Sequence, residues 1–341
     1  MTKVLLTGGS GFIATHILEI LLQRGHEVIT TVRSEDKATR VRDAYPNSAI
    51  TVAIVADIVK PNAFDSVVKT PGLQAVIHTA SPFHYNYTDA KAELLDPALL
   101  GTTSVLKAIH ELAPGVKRVV ITSSFAAMLS EETLSDPNTV FTEASWNPYT
   151  YEDGLKDDKV KAYRTSKTIA EKAAWQFMQD HQPGFELATI CPPLVFGPVL
   201  HHLDSLSAIN TSNQRFVDMV RGAWKDQIPE TGTYLWVDVR DVARAHVLAF
   251  EKSTARGQRY FITAGRFNNR DLAAIVRDSF PELESTLPDI EITGGGYPEA
   301  GIYGYDNAKA SKELGIDWMS LEKSATDTVR SLLKGYCPAR I

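Results

Sequence analysis

Short apolar runs alternate with segments of helical periodicity through the first half of the chain. The runs are rich in valine, isoleucine and leucine, as is typical of strands buried on both faces of a sheet. The segments between them repeat apolar residues every three to four positions, which indicates amphipathic helices. Six predicted strands contain VLL, EVITTV, ITVAIVAD, AVIHTA, RVVITSS and ELATICPP. This alternation predicts an α/β fold with a doubly wound parallel sheet.

A glycine cluster, TGGSGFIA, lies between the first predicted strand and the first predicted helix. Gly8 permits a tight turn there, Gly11 lets a pyrophosphate approach the backbone, and Ala14 takes the third small position. The helix N-terminus adds free N–H groups and a partial positive charge. A tight turn without a ligand is the alternative, but the parallel sheet favours a Rossmann-type dinucleotide fold.

The regular alternation ends near Pro193. The segment YLWVDVRDVARAHVLAF predicts a strand and helix that return to the first domain, whereas QRYFITAG and helices near 271–279 and 308–314 indicate a smaller lobe. The glycine-rich ITGGGYPEAGIYGYD is predicted to be a surface loop. The expected units are a dinucleotide-binding Rossmann domain, 1–192 plus 233–254, and a smaller C-terminal substrate-binding lobe, 193–232 plus 255–341.

Composition narrows the class of protein. The 341 residues are 44% hydrophobic and 22% charged, which is ordinary for a globular protein. A net charge of -6 without a basic stripe argues against nucleic acid or anionic membranes as partners. Cys191 is predicted to be a core thiol and Cys337 to lie on a loose tail, which suits a reducing cytoplasm. The first predicted strand begins too early to leave room for a signal peptide. No apolar run reaches the roughly 18 residues of a membrane span. We expect the protein to be a monomer or homodimer.

Tyr163 and Lys167 lie four residues apart in AYRTSKTIAEKAAWQFM, so they share one helix face. That face continues through small and apolar residues and is predicted to be buried. Lysine is rarely buried without a partner, although a lysine whose amine reaches solvent at the helix rim is an alternative.

The fifth predicted strand ends in Thr122, Ser123 and Ser124, at the sheet edge where open α/β folds bind ligands. With the helix pair, a serine can hold a carbonyl oxygen and a tyrosine can donate a proton. A nearby lysine ammonium lowers the pKa of a tyrosine from its ordinary value of about 10. Spacing alone does not distinguish Ser123 from Ser124.

The end of the second predicted strand bears on the cofactor. An acidic residue there would bind the adenosine ribose of NAD, but TTVRSEDK places Arg33 and Lys37 there instead. Charge-assisted bonds of roughly 1.5 to 3 kcal/mol each would favour NADP over NAD by ~10- to 100-fold. Because Glu35 and Asp36 lie between the two cations, an exposed helix start of mixed charge is the alternative.

Several motifs together resemble the extended short-chain dehydrogenase/reductase family over nearly the whole chain: TGGSGFIA, HTASP, VVITSS, YRTSK and WVDVRDVA. Within that family, FIATHI, HTASPF, EASWNP, EKAAW and VFGP are similar to the branch of yeast methylglyoxal/isovaleraldehyde reductases, neighbours of the plant dihydroflavonol 4-reductases. The resemblance implies NADP(H) as cofactor and NADPH-dependent reduction of aldehydes and ketones.

By this resemblance Ser124, Tyr163 and Lys167 are the catalytic residues, and Lys167 also holds the nicotinamide ribose. Asp57 and Ile58 resemble an adenine-binding pair, and Pro192 and Val195 resemble a nicotinamide wall. The cofactor-binding residues that the resemblance and the strand ends imply are Thr7, Gly8, Ser10, Gly11, Phe12, Ile13, Arg33, Lys37, Asp57, Ile58, Thr79, Ala80, Ser81, Tyr163, Lys167, Pro192 and Val195.

Phe83, Phe125 and Phe196, with Trp236 beside them, are predicted to line an apolar substrate pocket. An apolar pocket with one hydrogen-bonding centre suits hydrophobic aldehydes and ketones and discriminates weakly between them. No metal site is predicted: His78 is expected to be a core histidine, and the adjacent pair His201 and His202 has poor geometry for sharing a metal.

Three other functions are compatible with parts of the pattern. A dihydroflavonol-reductase-like enzyme differs in substrate alone. A sugar-nucleotide epimerase of the same fold would retain NAD, which Arg33 disfavours. An NADP-sensing regulatory protein would not need the pair Tyr163 and Lys167.

Overall fold

A parallel sheet of seven strands forms the centre of the computed structural model, which describes residues 1–46, 48–81, 87–200, 209–289 and 291–335. The strand order is β10-β7-β5-β4-β1-β2-β3, and every neighbouring pair is parallel. This confirms the predicted Rossmann-type α/β fold. The strands of the main sheet are β1 Lys3–Thr7, β2 Glu27–Val32, β3 Ile50–Ile54, β4 Leu73–His78, β5 Arg118–Thr122, β7 Glu186–Cys191 and β10 Gln258–Phe261.

Helices cover both faces of this sheet because consecutive strand residues point to opposite sides. Val4 packs with α1 and α9 in one apolar cluster, whereas Leu5 packs with α4 and α7 in another. The helices are α1 Phe12–Gln23, α2 Glu35–Ala44, α3 Asp65–Val68, α4 Asp96–Leu112, α5 Glu131–Ser135, α6 Tyr151–Gly154, α7 Lys159–His181, α8 Gln214–Val220, α9 Val239–Glu251, α10 Asn269–Ser279 and α11 Leu321–Gly335. None of the helices in the described ranges is long and apolar enough to span a bilayer.

Smaller sheets lie beside the main one. A three-stranded sheet has the order β11-β9-β8, and a two-stranded sheet pairs β12 with β6. A separate apolar cluster joins α8, α10 and α11 to this region. The additional strands are β6 Val140–Phe141, β8 Leu194–Phe196, β9 Leu235–Asp238, β11 Gly265–Arg266 and β12 Gly304–Tyr305.

Two segments differ from their predicted placement. QRYF, predicted in the smaller lobe, forms β10 and extends the main sheet by pairing with β7. The segment predicted to return to the first domain is divided: β9 pairs with β8 and β11, while α9 packs against α1. Hydrophobic pattern identifies a strand but not its partner, because partner choice depends on residues distant in sequence.

Candidate active site

A cleft of about 1010 Å³ follows the carboxyl ends of the main-sheet strands. This is the edge at which open α/β sheets bind ligands. It brings most of the predicted site residues together. The predicted residues that line it are Gly8, Ser10, Gly11, Phe12, Ile13, Arg33, Lys37, Asp57, Ile58, Thr79, Ala80, Ser81, Ser124, Phe125, Tyr163, Lys167, Pro192 and Val195.

The turn from β1 to α1 has the backbone shape that its glycines predict. Gly8 has φ +75°, and a Cβ there would lie 3.2 Å from the Ala80 backbone. A Cβ on Gly11 would lie 3.2 Å from the Gly8 carbonyl oxygen. Gly11 is also the N-cap of α1, where no side chain caps the first N–H groups, and Gly11, Phe12 and Ile13 line the cleft. These features fit a pyrophosphate group.

Sequence reasoning missed the role of Gly9. A Cβ there would lie 1.8 Å from Thr30 Oγ1 on β2, so the turn packs against the neighbouring strand only if this residue is glycine. The run of two glycines in TGGSG is the signal that could have indicated it.

Thr7 is a correction to the predicted cofactor contacts. It is completely buried and is not among the residues that line the cleft. Its Oγ1 accepts hydrogen bonds from the backbone N–H groups of Thr79 at 3.1 Å and Ala80 at 3.2 Å. The same oxygen lies 2.9 Å from His78 Nδ1, to which it can donate its proton. Thr7 therefore aligns the ends of β1 and β4 and acts on the cleft indirectly.

The predicted pair of cations lies at the end of the cleft beside β2. Arg33 is exposed and Lys37 is half-buried, and both line the cleft. Ser34 caps α2 by accepting a hydrogen bond from the Lys37 backbone N–H. Glu35 forms an ion pair with Arg42 at 2.5 Å, on the exposed side of the helix. The arrangement fits a phosphate between Arg33 and Lys37.

The first turns of α7 supply the proton-transfer candidates. Tyr163 and Lys167 line the cleft, and Lys167 Nζ lies 5.8 Å from the centroid of the Tyr163 ring. The Lys167 ammonium donates a hydrogen bond to Ser81 Oγ at 2.9 Å. Desolvation lowers the pKa of Lys167 to about 8. The four-residue spacing of Tyr163 and Lys167 therefore brings both side chains to the same cleft, as the sequence predicts.

The two serines after β5 have different surroundings. Ser123 Oγ donates a hydrogen bond at 2.6 Å to Glu171, a buried carboxylate on α7. Ser124 is half-buried, lines the cleft, and its Oγ accepts a hydrogen bond from the Ala126 backbone N–H at 3.1 Å. Because the Ser123 hydroxyl is engaged by Glu171, Ser124 is the better candidate to contact a substrate.

A buried polar network behind these serines was not predicted. Glu171 accepts from Ser123, from Thr189 Oγ1 at 2.7 Å, and from Arg259 Nε at 2.8 Å. A second Arg259 nitrogen donates to the other Glu171 oxygen at 3.0 Å. Cys191, the predicted core thiol, is buried beside the same carboxylate. A glutamate on the buried face of α7 was the signal available in the sequence, since buried acids require partners.

Phe125 and Phe196 are less available to a substrate than predicted. Phe125 borders the cleft but is only 2% exposed, because its ring stacks on Phe261 with centroids 5.1 Å apart. Phe196 is completely buried against Phe216 and Trp236 and is not part of the cleft lining, which corrects its predicted role.

Several sequence predictions lie outside the described residues: Phe83, His201, His202 and Cys337. His78 is buried as predicted, and desolvation lowers its pKa to about 4. Asp238 caps α9 and forms an ion pair with Arg240, so both residues have a structural role at the start of this helix. Within the described ranges, no group of three or more histidine, cysteine or acidic side chains could hold a metal ion.

Residues 4–263 match the NAD dependent epimerase/dehydratase family. The chain belongs to this family, and the predicted membership of the extended short-chain dehydrogenase/reductases is confirmed.

Among individual relatives, the chain is 44% identical to ketoreductase azaE of Aspergillus niger, over 97% of this chain and 98% of that relative. It is 38% identical to the NADPH-dependent methylglyoxal reductase GRE2 of Saccharomyces cerevisiae, over 97% of this chain and 98% of the relative. The crystal structure of yeast methylglyoxal/isovaleraldehyde reductase Gre2 complexed with NADPH matches with a TM-score of 0.92, 37% identity and 100% coverage of both chains. The predicted branch of the family is therefore confirmed.

Proposed function

We propose that this protein is an NADPH-dependent carbonyl reductase that converts aldehydes and ketones to alcohols. One observation carries the proposal: a single cleft joins Arg33 and Lys37 at one end to Ser124, Tyr163 and Lys167 at the other. The similarity to a ketoreductase and to an NADPH-dependent methylglyoxal reductase supports it. The proposed substrates are small carbonyls such as methylglyoxal and isovaleraldehyde, and bulkier hydrophobic ones.

The glycine turn and the cations fit the cofactor. The backbone N–H groups at the start of α1 bind the pyrophosphate, while Arg33 and Lys37 bind the 2′-phosphate. Asp57 and Ile58 bind at the adenine end, and Pro192 and Val195 form the nicotinamide wall. When bound, the nicotinamide supplies a hydride.

The chain's own groups perform the proton chemistry. Ser124 Oγ donates a hydrogen bond to the carbonyl oxygen of the substrate and orients it. Tyr163 Oη donates its proton to the same oxygen as negative charge develops there. The Lys167 ammonium favours the tyrosinate that remains and binds the nicotinamide ribose. Ser81, which accepts a hydrogen bond from Lys167, keeps that ammonium at the cleft wall.

The direct test is NADPH oxidation by the purified protein with dicarbonyls, branched aldehydes, aryl ketones and a dihydroflavonol. We expect turnover with several hydrophobic carbonyls and slower turnover with NADH. NADPH binding without turnover of any panel member would overturn the proposal in favour of a sensor. Tightly retained NAD with epimerisation of a nucleoside-diphosphate sugar would favour the epimerase, and strong preference for the dihydroflavonol would favour that reductase class.

The cofactor assignment has its own test. Arg33→Asp should raise the KM for NADPH by ~10- to 100-fold and change the KM for NADH much less, because only NADPH carries the 2′-phosphate. Arg40→Asp is the matched control, since Arg40 is exposed on α2 and does not line the cleft. An equal rise in the KM for both cofactors, or a preference of the wild type for NADH, would contradict the assignment.

The proposal includes a Rossmann domain of residues 1–192 plus 233–254 and a substrate lobe of 193–232 plus 255–341, with β10 reassigned to the main sheet. It also places the enzyme in the cytoplasm as a monomer or homodimer. Light scattering after size-exclusion chromatography measures the oligomeric state.

A further inference from the structure

Arg164 is a charged residue on the cleft that the proposed mechanism does not use. It follows Tyr163 in α7 and is half-buried. Val160, Tyr163, Arg164 and Lys167 all line the cleft, and their spacing of three and four residues places them on one helix face. The guanidinium therefore borders the same space as the proposed proton donor.

The guanidinium of Arg164 has no hydrogen bond or ion pair within the described parts of the chain. Its backbone carbonyl is engaged, since it accepts a hydrogen bond from Thr168 Oγ1 at 2.7 Å. An arginine usually forms several bonds with its five donors. Within the described residues, no Arg164 nitrogen is both buried and without a partner, so the guanidinium is accessible from the cleft to a ligand with a matching acceptor.

The surroundings of Arg164 place it on the substrate side. The pKa of Glu132 is lowered chiefly by a hydrogen bond from Ser130, with smaller contributions from Lys161 and Arg164. The pKa of Tyr303 is raised by desolvation, and Arg164 acts weakly in the opposite direction. Tyr303 belongs to the cluster of Phe125 and Leu129, both of which border the cleft. Arg33 and Lys37, in contrast, follow β2, three strands away from β5.

We propose that Arg164 is a specificity-determining residue that binds a carboxylate on the far end of the carbonyl substrate. The inference rests on the proposed function and names a substrate class for it: hydrophobic aldehydes and ketones that carry a carboxylate. The planar guanidinium matches a carboxylate through two parallel hydrogen bonds. A carboxylate with a single negative charge also suits one arginine better than a phosphate group, which carries about two charges at neutral pH.

The apolar lining near Arg164 completes the expected site. Val160 is 48% exposed at the cleft, whereas Ala126, in the 3-10 turn after Ser124, and Leu129 line the cleft but are buried. Val160 therefore offers the accessible apolar surface for the hydrocarbon or aromatic part of the substrate between its carbonyl and its carboxylate.

The test compares 4-formylbenzoate with its methyl ester, which share one aldehyde and differ in charge. Arg164→Met should reduce kcat/KM for the acid by ~10- to 100-fold, mainly through KM, and change that of the ester less than about threefold. Arg164→Lys should retain part of the preference because it keeps the charge. Arg221→Met is the control, since Arg221 is exposed and does not line the cleft.

A second measurement does not require turnover of the acid. Benzoate should inhibit wild-type reduction of the ester competitively, and Arg164→Met should weaken that inhibition by ~10-fold or more. Equal effects of Arg164→Met on the acid and the ester, or unchanged inhibition by benzoate, would overturn the assignment. Failure of the proposed function would differ, because the wild type would then reduce neither the ester nor the neutral aldehydes of the panel.

Discussion

Two arginines, one on α7 and one bound to a carboxylate of α7, have opposite surroundings. Arg259 is buried, binds both carboxylate oxygens of Glu171, donates to backbone carbonyls, and lies 3.8 Å from the centroid of the Trp146 ring. Arg164 lines the cleft, and its guanidinium has no partner within the described residues. A cation with all its donors engaged stabilises the fold, whereas one facing a cleft without an acceptor is available to a ligand.

The same contrast separates two segments of α7. Val160, Tyr163 and Lys167, in the first turns of the helix, line the cleft. Glu171, four residues after Lys167 on the same side of the helix, is buried and accepts a hydrogen bond from Ser123, which follows β5. One helix therefore supplies both the proposed chemistry and the support beside it. Substitutions in the turns that line the cleft should change turnover, and those around the buried Glu171 should change stability.

The largest expected effect concerns Tyr163. Tyr163→Phe removes one oxygen and keeps the ring, so kcat should fall by ~10²- to 10⁴-fold with little change in NADPH affinity or stability. Steady-state kinetics and an NADPH titration measure both quantities. Tyr45→Phe is the control, because the Tyr45 hydroxyl donates to Glu19 outside the cleft. Turnover near that of the wild type would contradict the assignment of Tyr163 as the proton donor.

At the buried carboxylate, Arg259→Met should lower the free energy of unfolding by about 3 to 5 kcal/mol, because it leaves Glu171 without its cation. Urea denaturation measures the change. Glu171→Gln combined with Arg259→Met should recover part of the loss, since the unpaired charge is then absent. The amide oxygen can accept from one of the two hydroxyls, Ser123 or Thr189, and the other hydroxyl can accept from the amide nitrogen.

Arg164→Met is the variant at the cleft with which Arg259→Met is compared. It should change the free energy of unfolding by no more than about 0.5 kcal/mol. If Arg259→Met cost as little as Arg164→Met, the contrast between the two arginines would be wrong. The same conclusion would follow if the double variant were no more stable than Arg259→Met alone.

A smaller loss of stability is expected when the pH is lowered. Burial lowers the pKa of His78 and of His246 to about 4, below the ordinary value of 6.5. His246 Nδ1 donates to the Val242 carbonyl at 2.8 Å, so its neutral Nε2 accepts from Thr122 Oγ1 at 2.7 Å. Between these pKa values the unfolded chain binds more protons than the folded protein. The contribution of these two neutral histidines to the free energy of unfolding is therefore complete above pH 6.5, and it is lost as the pH falls toward 4.

The expected slope is up to ~1.4 kcal/mol per pH unit for each buried histidine. Urea midpoints between pH 7 and pH 4.5 measure it. His246→Gln should flatten the profile, whereas His110→Gln, which changes an exposed histidine, should leave it as in the wild type. Identical slopes for all three proteins would exclude His246 as a cause of the pH dependence.

Local features of the chain are predictable from sequence because they depend on backbone period and turn geometry. Apolar runs predict six of the seven main-sheet strands, the glycine cluster predicts the turn at Gly8, and helical spacing places Tyr163 and Lys167 on one face. Arg33 follows β2, so its position at the sheet edge is also a local property. These residues account for both ends of the proposed NADPH site.

Other features depend on contacts between distant parts of the chain. Phe196 is as hydrophobic as a pocket residue should be, but Phe216 and Trp236 enclose it. Ser123 and Ser124 are adjacent and equivalent by spacing, and in the structure the position of Glu171, 48 residues after Ser123, distinguishes them. Periodicity determines which residues share a face. The neighbouring elements decide what covers that face, because burial and hydrogen bonding depend on atoms that local sequence does not specify.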